Sequence, residues 1–247
     1  MEWSSWHHRK ALGLLEAATH RPLRRASRSS RVRTLWIAGL FALGSVGFAL
    51  GSLPPLAAAL RDNAAGLFFG ASLLFTTAAY MQFHEAANAG DDVNGQQRTH
   101  RLARLRTESL GWWATSTQLV GTLAFNISTL AAMVDLSPWR EETLVWAPDA
   151  VGSICFLVAS TAALSEICSR VLCWDPRSSS WWVAAINLAG SLAFGVSAVA
   201  ARVLPTTGEP ANIDRVNSAT FIGAALFLAA ALLLPAAVGL SPRRRGR

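Results

Sequence analysis

Charge is scarce in this chain: of 247 residues only 15% are Asp, Glu, Lys or Arg, while 52% are hydrophobic and the mean hydropathy is +0.32. That balance excludes an ordinary soluble domain, whose core would not require so much apolar sequence. Catalytic signatures are missing too. No Gly-rich phosphate loop, zincin-type His and Glu spacing or Gly-flanked nucleophilic Ser occurs, and no Lys falls in an apolar segment. The sequence therefore predicts no enzyme and no cofactor or metal.

What the chain has instead is long apolar blocks, at about 35–53, 64–83, 112–134, 150–167, 181–204 and 217–240. Each approaches the roughly 20 residues that cross a hydrocarbon core as a helix, the conformation that satisfies its own backbone in lipid. The expected fold is all-α, a polytopic membrane protein of six transmembrane helices. The first block follows a polar leader too long for a cleavable signal peptide, so it reads as a retained helix.

Basic residues give the expected orientation. Of the 22 Lys and Arg, 18 lie in the leader, the loops 84–111 and 166–180 and the tail, and only Arg61, Arg140, Arg202 and Arg215 fall in the alternate loops. By the positive-inside rule both termini are cytoplasmic. The net charge of +7 divides into +10 inside and −3 outside. Juxtamembrane Arg runs such as 20–33 and 241–247 read as topology signals that attract anionic lipid headgroups, and nucleic acid is not expected as a partner. Cys155, Cys168 and Cys173 lie in or near the fourth helix, with no extracytoplasmic pair to form a disulfide. A spacing of five does not stack Cys168 and Cys173 on one helical face, which argues against a metal pair.

Two stretches nearly repeat one another. "WWATSTQLVGTLAF" at 112–125 and "WWVAAINLAGSLAF" at 181–194 align at an offset of 69, and the first helix carries a third copy. Trp36, Trp113 and Trp182 each stand eight residues before Gly44, Gly121 and Gly190, and Phe48, Phe125 and Phe194 each follow four after. The even helices carry a related pentad: Ala71-Ser72 to Phe75, Gly152-Ser153 to Phe156, and Gly223-Ala224 to Phe227. With Ser45, Thr122 and Ser191 in the odd helices, every helix reads small, then Ser, Thr or Ala, then two residues, then Phe. Three tandem related hairpins follow as the expected architecture.

The organisation expected is a basic leader 1–33 containing a surface-lying amphipathic helix over 2–19, hairpins at 34–83, 112–172 and 181–240, cytoplasmic loops 84–111 and 173–180, and a basic tail 241–247. The longer loop turns at Asn94-Gly95.

These pentads, with Trp ahead of the odd ones, resemble the YrhK-like domain, a short bacterial two-helix membrane module. The likeness covers 34–240 and is best at 34–83 and 181–235; Thr122 and Ala224 depart from its Ser. It implies a multi-pass protein of a bacterial cytoplasmic (inner) membrane, in a family that supplies no catalytic residue.

Physically the pentad is a packing device. In lipid, helices associate through close backbone approach at small residues and through hydroxyl hydrogen bonds. A second small residue follows seven after the first in each helix (Gly51, Ala78, Ser128, Ala159, Ser197, Ala230), and Phe on the same face fills the neighbour's groove. Trp36, Trp112, Trp113, Trp181 and Trp182, at the starts of odd helices, are expected as headgroup-level anchors.

Polar residues within apolar segments form a second set. Glu85 and Glu166 stand thirteen after Ser72 and Ser153; the third repeat has Ala237 there. They mark either the water interface, paired with Arg, or a cytoplasmic mouth for cations and protons. Gln118 and Asn187 are equivalent, and Asn126 lies two turns beyond Gln118; they read as interhelical hydrogen bonders or as a polar path. Asp149, after Pro148, reads as an N-cap. The leading functional expectation is a non-enzymatic membrane component, a scaffold or homo-oligomer packed through its seams; the alternative is a small channel or transporter for ions or small solutes.

Overall fold

A Ser-x-x-Trp phrase opens two helices in the same way. Ser109 and Ser178 accept from the backbone N–H of Trp112 and Trp181, each at 3.2 Å, and Asn212 accepts from that of Arg215 at 2.9 Å. These N-caps satisfy N–H groups that have no intrahelical partner. The computed structural model describes residues 28–60, 63–88, 109–168, 173–204 and 210–238. The surface helix expected over 2–19, the Asn94-Gly95 turn and the basic tail lie outside the described residues.

Apart from one isolated bridge between Val203 and Pro210, the regular structure among the described residues is helical. The elements are α1 (Arg28–Gly51), α2 (Pro54–Leu60), α3 (Asn63–Asn88), α4 (Leu110–Ala131), α5 (Pro138–Glu141) running through a π turn (Glu142–Trp146) into α6 (Ala147–Cys168), α7 (Ser179–Ala200) and α8 (Ile213–Ala237). Five stretches are long and apolar enough to cross a membrane: Arg31–Gly51, α3, Pro138–Cys168, α7 and α8. At 22 residues α4 matches α7 in length, but Gln118, Asn126 and its many Ser and Thr lower its apolarity. Its hydroxyls turn back onto its own carbonyls: Thr115 donates to Gly111 O, Ser116 to Trp112 O and Thr129 to Phe125 O.

Helix bounds differ from the apolar blocks in a consistent direction. Polar residues at the ends are helical too, so α1 begins ahead of Arg33, and α3 carries His84 and Glu85 to its last turn. Asp149 is not an N-cap. The helix begins at Pro138, and Pro148 is accommodated inside it because the π turn just before adds a residue; the Ala147 N–H reaches back to Glu142 O. That wider turn relieves the clash a proline makes with the carbonyl four residues earlier.

The long helices pack as a ring in chain order: α1 on α3, α3 on α4, α4 on α6, α6 on α7, α7 on α8, and α8 back on α1. At one end of the ring, here the near end, α1, α4 and α7 begin and α3, α6 and α8 finish. The second residue of each pentad faces the ring's interior: Ser45, Ser72, Thr122, Ser153, Ser191 and Ala224 are all at most 2% exposed.

Within each consecutive pair the pentad Gly of one helix lies under the pentad Phe of the other. A Cβ on Gly44 would meet the Phe75 ring at 2.5 Å, one on Gly152 the Phe125 ring at 3.1 Å, and one on Gly223 the Phe194 ring at 2.6 Å. Gly121 faces Phe156 at 3.0 Å, and Gly190 faces Phe227 at 2.9 Å. Glycine allows this close approach, because a side chain at these positions would press on the facing ring or backbone. Ala71 takes the glycine position in α3, and Gly47 of α1 makes room: a Cβ on Gly47 would lie 2.8 Å from the Ala71 methyl.

Candidate functional site

Six phenylalanines, one from each ring helix, meet on the axis. Each follows its pentad hydroxyl or Ala by three residues, so α1, α4 and α7 place theirs toward the far end and α3, α6 and α8 theirs toward the near end. Two tiers result. Phe75, Phe156 and Phe227 form a near-end triangle with centroids 5.7–6.4 Å apart, and Phe194 of the far-end tier stands 5.9 Å from Phe48 and 6.0 Å from Phe125. Phe194 and Phe227 stack at 5.3 Å and tie the tiers together. All six rings are buried, and edge-to-face or offset contacts of this kind add about 0.5–1.5 kcal/mol per pair beyond area.

Between this plug and the near end lies a cavity of about 160 Å³. The near-end Phe triangle is its floor. Gln82, Gln118, Asn187 and Glu166 line its walls, with Thr115, Ser160, Ser180 and Ser191 supplying hydroxyls. Gln118 Nε2 donates to Gln82 Oε1 across the α3–α4 seam at 3.3 Å. Among the cavity's described lining residues, Glu166 is the one ionisable group.

The polar residues read from the sequence are thus divided. Gln118, Asn187 and Glu166 share the cavity. Asn126 lies level with the plug, in the α3–α4 seam, where its Oδ1 accepts from Thr76 Oγ1 at 3.1 Å, beside a Ser72 to Thr129 contact of 3.1 Å. Glu85 turns to α1 and forms an ion pair with Arg33 at 3.3 Å, its side chain 10% exposed. It does not line the cavity, although it is spaced from its pentad like Glu166. Its partner is an Arg of α1, Arg33, rather than Arg170 or one of the Arg residues in 98–106, which lie outside the described residues. Gln82 and Phe41 are cavity residues that sequence reasoning missed. A signal for Gln82 existed: it is the amide on α3 in the half-helix that faces Gln118 of α4.

The tryptophans divide as well. Trp36, Trp113 and Trp182 are exposed on the outer surface, whereas Trp112 and Trp181 turn into the bundle and pack on Phe83 and Trp174. Their places in the doublets explain this, since adjacent residues on a helix point about 100° apart. Trp181 Nε1 donates to Cys173 O at 2.9 Å, while the buried Trp112 Nε1 meets no acceptor among the described residues.

Cys168 and Cys173 form a disulfide with Cα atoms 5.2 Å apart. This corrects the expectation that the cysteines stay unpaired. Helical spacing does not apply to them, because α6 ends at Cys168 and Cys173 belongs to the connection to α7. The bridge sits near the cavity rim, beside Ile167 and Trp181.

Among the described residues the arrangement holds a partly open, mainly apolar chamber with polar groups in its wall, above an aromatic plug. It provides hydrogen-bond donors, acceptors and a carboxylate to a molecule entering from the near end. No family model, curated protein or solved structure matches the chain.

Proposed function

We propose that the chain is a non-enzymatic, six-span membrane protein whose ring of three hairpins forms a chamber for small solutes, the channel or transporter reading of its sequence. One observation carries the proposal: Gln118, Glu166 and Asn187, separated in that order by 48 and 21 residues in the chain, share one cavity that stops at a six-Phe plug. Such a seal at mid-depth holds the site open to one side, as alternating or gated access requires. In this reading α4 is the sixth span despite its polar residues, because it lies in the ring between α3 and α6 with its polar groups turned to the chamber and to α3.

The basic-residue asymmetry supports a cytoplasmic near end, and with it a cytoplasmic opening, in a bacterial inner membrane. The Cys168–Cys173 bridge would be reducible there, since cytosolic thiols are kept reduced. The motif likeness to the YrhK-like module is compatible with this reading and adds no solute.

The scaffold reading keeps one observation in its favour. The pentad glycines are covered within the chain, but Gly66 and Gly70 on α3 face open space four residues apart, a spacing that brings helices of two copies together. A homo-oligomer built there leaves the chamber intact, so the two readings are separable.

Cysteine labelling tests the chamber. In a variant without native cysteines, a cysteine at Asn187 is expected to react with a small charged thiol reagent from the near-end side only, and one at Asn126 from neither. Equal protection of both positions would remove the chamber reading.

A further inference from the structure

The three ring helices that begin at the near end differ at one equivalent position. Four residues before the pentad hydroxyls of Ser45, Thr122 and Ser191 stand Phe41, Gln118 and Asn187, and all three line the chamber. Each is about one helical turn nearer the rim than its hydroxyl. Two of the three are engaged: Phe41 meets the Phe75 ring edge-on at 5.2 Å, and Gln118 donates to Gln82. Asn187 differs. Its backbone carbonyl accepts from Ser191, but its half-buried side-chain amide has no hydrogen bond among the described residues. The flanking helices offer it none. Ala159 and Ala163 of α6 and Ala230 and Ala231 of α8 make room there and end at Cβ, while the Ser160 hydroxyl donates to its own helix at Phe156 O, 2.7 Å away. An amide that faces apolar space without a partner is costly, so water or a bound molecule must meet it. The space is about 160 Å³, close to the ~150 Å³ of a cavity that accepts benzene.

We infer that the chamber binds a small uncharged molecule with a flat apolar body and a carboxamide-like group, whose donor and acceptor pair with Asn187 Oδ1 and Nδ2 while the body lies on the Phe rings of the floor. A side-chain amide presents an acceptor and donors side by side, so a ligand group that carries both satisfies it in one plane. A ketone satisfies the donor alone. Around Asn187 the described wall is alanine, phenylalanine, glutamine and serine; Glu166, which has an interaction of its own, stands six residues beyond Ser160 on α6, about 9 Å nearer the rim by helical rise. A charged group brought to Asn187 would exchange its hydration for a neutral amide and apolar surface. The inference rests on the chamber being a solute site and adds the class of solute.

The test is calorimetric binding to the full chain in detergent with four planar probes of one shape: benzamide, acetophenone, benzoate and benzamidinium. Benzamide is expected to bind about tenfold more tightly than acetophenone, which leaves part of the Asn187 amide unpaired, and at least about tenfold more tightly than either ion. In Asn187→Leu, which is close in size to the wild type and sits in the same detergent, benzamide and acetophenone are expected to bind alike. Benzoate or benzamidinium binding as tightly as benzamide to the wild type overturns the uncharged class while leaving a solute site. Acetophenone matching benzamide in the wild type, or a benzamide preference kept by Asn187→Leu, overturns recognition through Asn187. Binding of none of the four overturns the solute site as well. The wild-type series decides the class even if the variant fails to fold.

Discussion

Single side chains in this bundle differ in consequence although they look alike in sequence. Trp112 and Trp181 occupy the same place in the two repeated phrases, three residues after a capping Ser, and both are buried. The indole N–H of Trp181 has a carbonyl acceptor, and that of Trp112 has none among the described residues. Replacing a hydrogen-bonded partner leaves Cys173 O short of a donor, while removing an unmet N–H costs nothing polar. Trp181→Phe is therefore expected to lower stability by about 1–2 kcal/mol more than Trp112→Phe, read from thermal unfolding in detergent. The same lesson applies to the two glutamates. Spacing from the pentad puts them at one height and on one helical face, but what they meet there differs: Arg33 of α1 takes Glu85, while Glu166 borders the chamber. A sequence pattern reports height and face along a helix well, and says little of what the neighbouring helices bring to that face.

At the scale of elements, the pentad was legible because its chemistry is local: small, hydroxyl or Ala, and aromatic residues at fixed spacing. What the spacing could not give was the partner of each glycine, which is the Phe of the helix next in the ring. Helix ends were less legible, since capping by Ser109 and Ser178 is written in polar residues outside the apolar blocks, and the π turn that absorbs Pro148 has no apolar signature. The cysteine bridge was hidden for a related reason, the end of α6 falling at Cys168 itself. The packing account has a direct check. Gly190→Ala places a methyl 2.9 Å from a Phe227 ring held on several sides, so a loss of about 1–3 kcal/mol is expected. Gly70→Ala, with nothing within 4 Å, is expected to be neutral or to stabilise by up to about 1 kcal/mol through helix propensity. Equal effects of the two substitutions would contradict packing at the pentad.

Taken whole, the molecule joins a tight half to a hollow half. The far-end tier and the seams around it are filled by rings and hydroxyls, and the near-end half leaves room among amides, hydroxyls and one carboxylate. A bundle designed only for rigidity would gain from filling that space, because a void forfeits the packing contacts of the side chains that line it. The chamber is therefore the feature that a purely structural role leaves unexplained, and on the proposed channel or transporter reading passage through it requires the two Phe tiers to part. Uptake by proteoliposomes of a panel of small neutral, zwitterionic and cationic solutes tests this most directly, comparing the wild type with Ala163→Trp, which fills the chamber from α6 without touching a pentad. Uptake above protein-free vesicles for at least one solute, lost in the correctly inserted Ala163→Trp variant, is the expected result; uptake no faster than protein-free vesicles for every solute, with the wild type properly inserted, would contradict it.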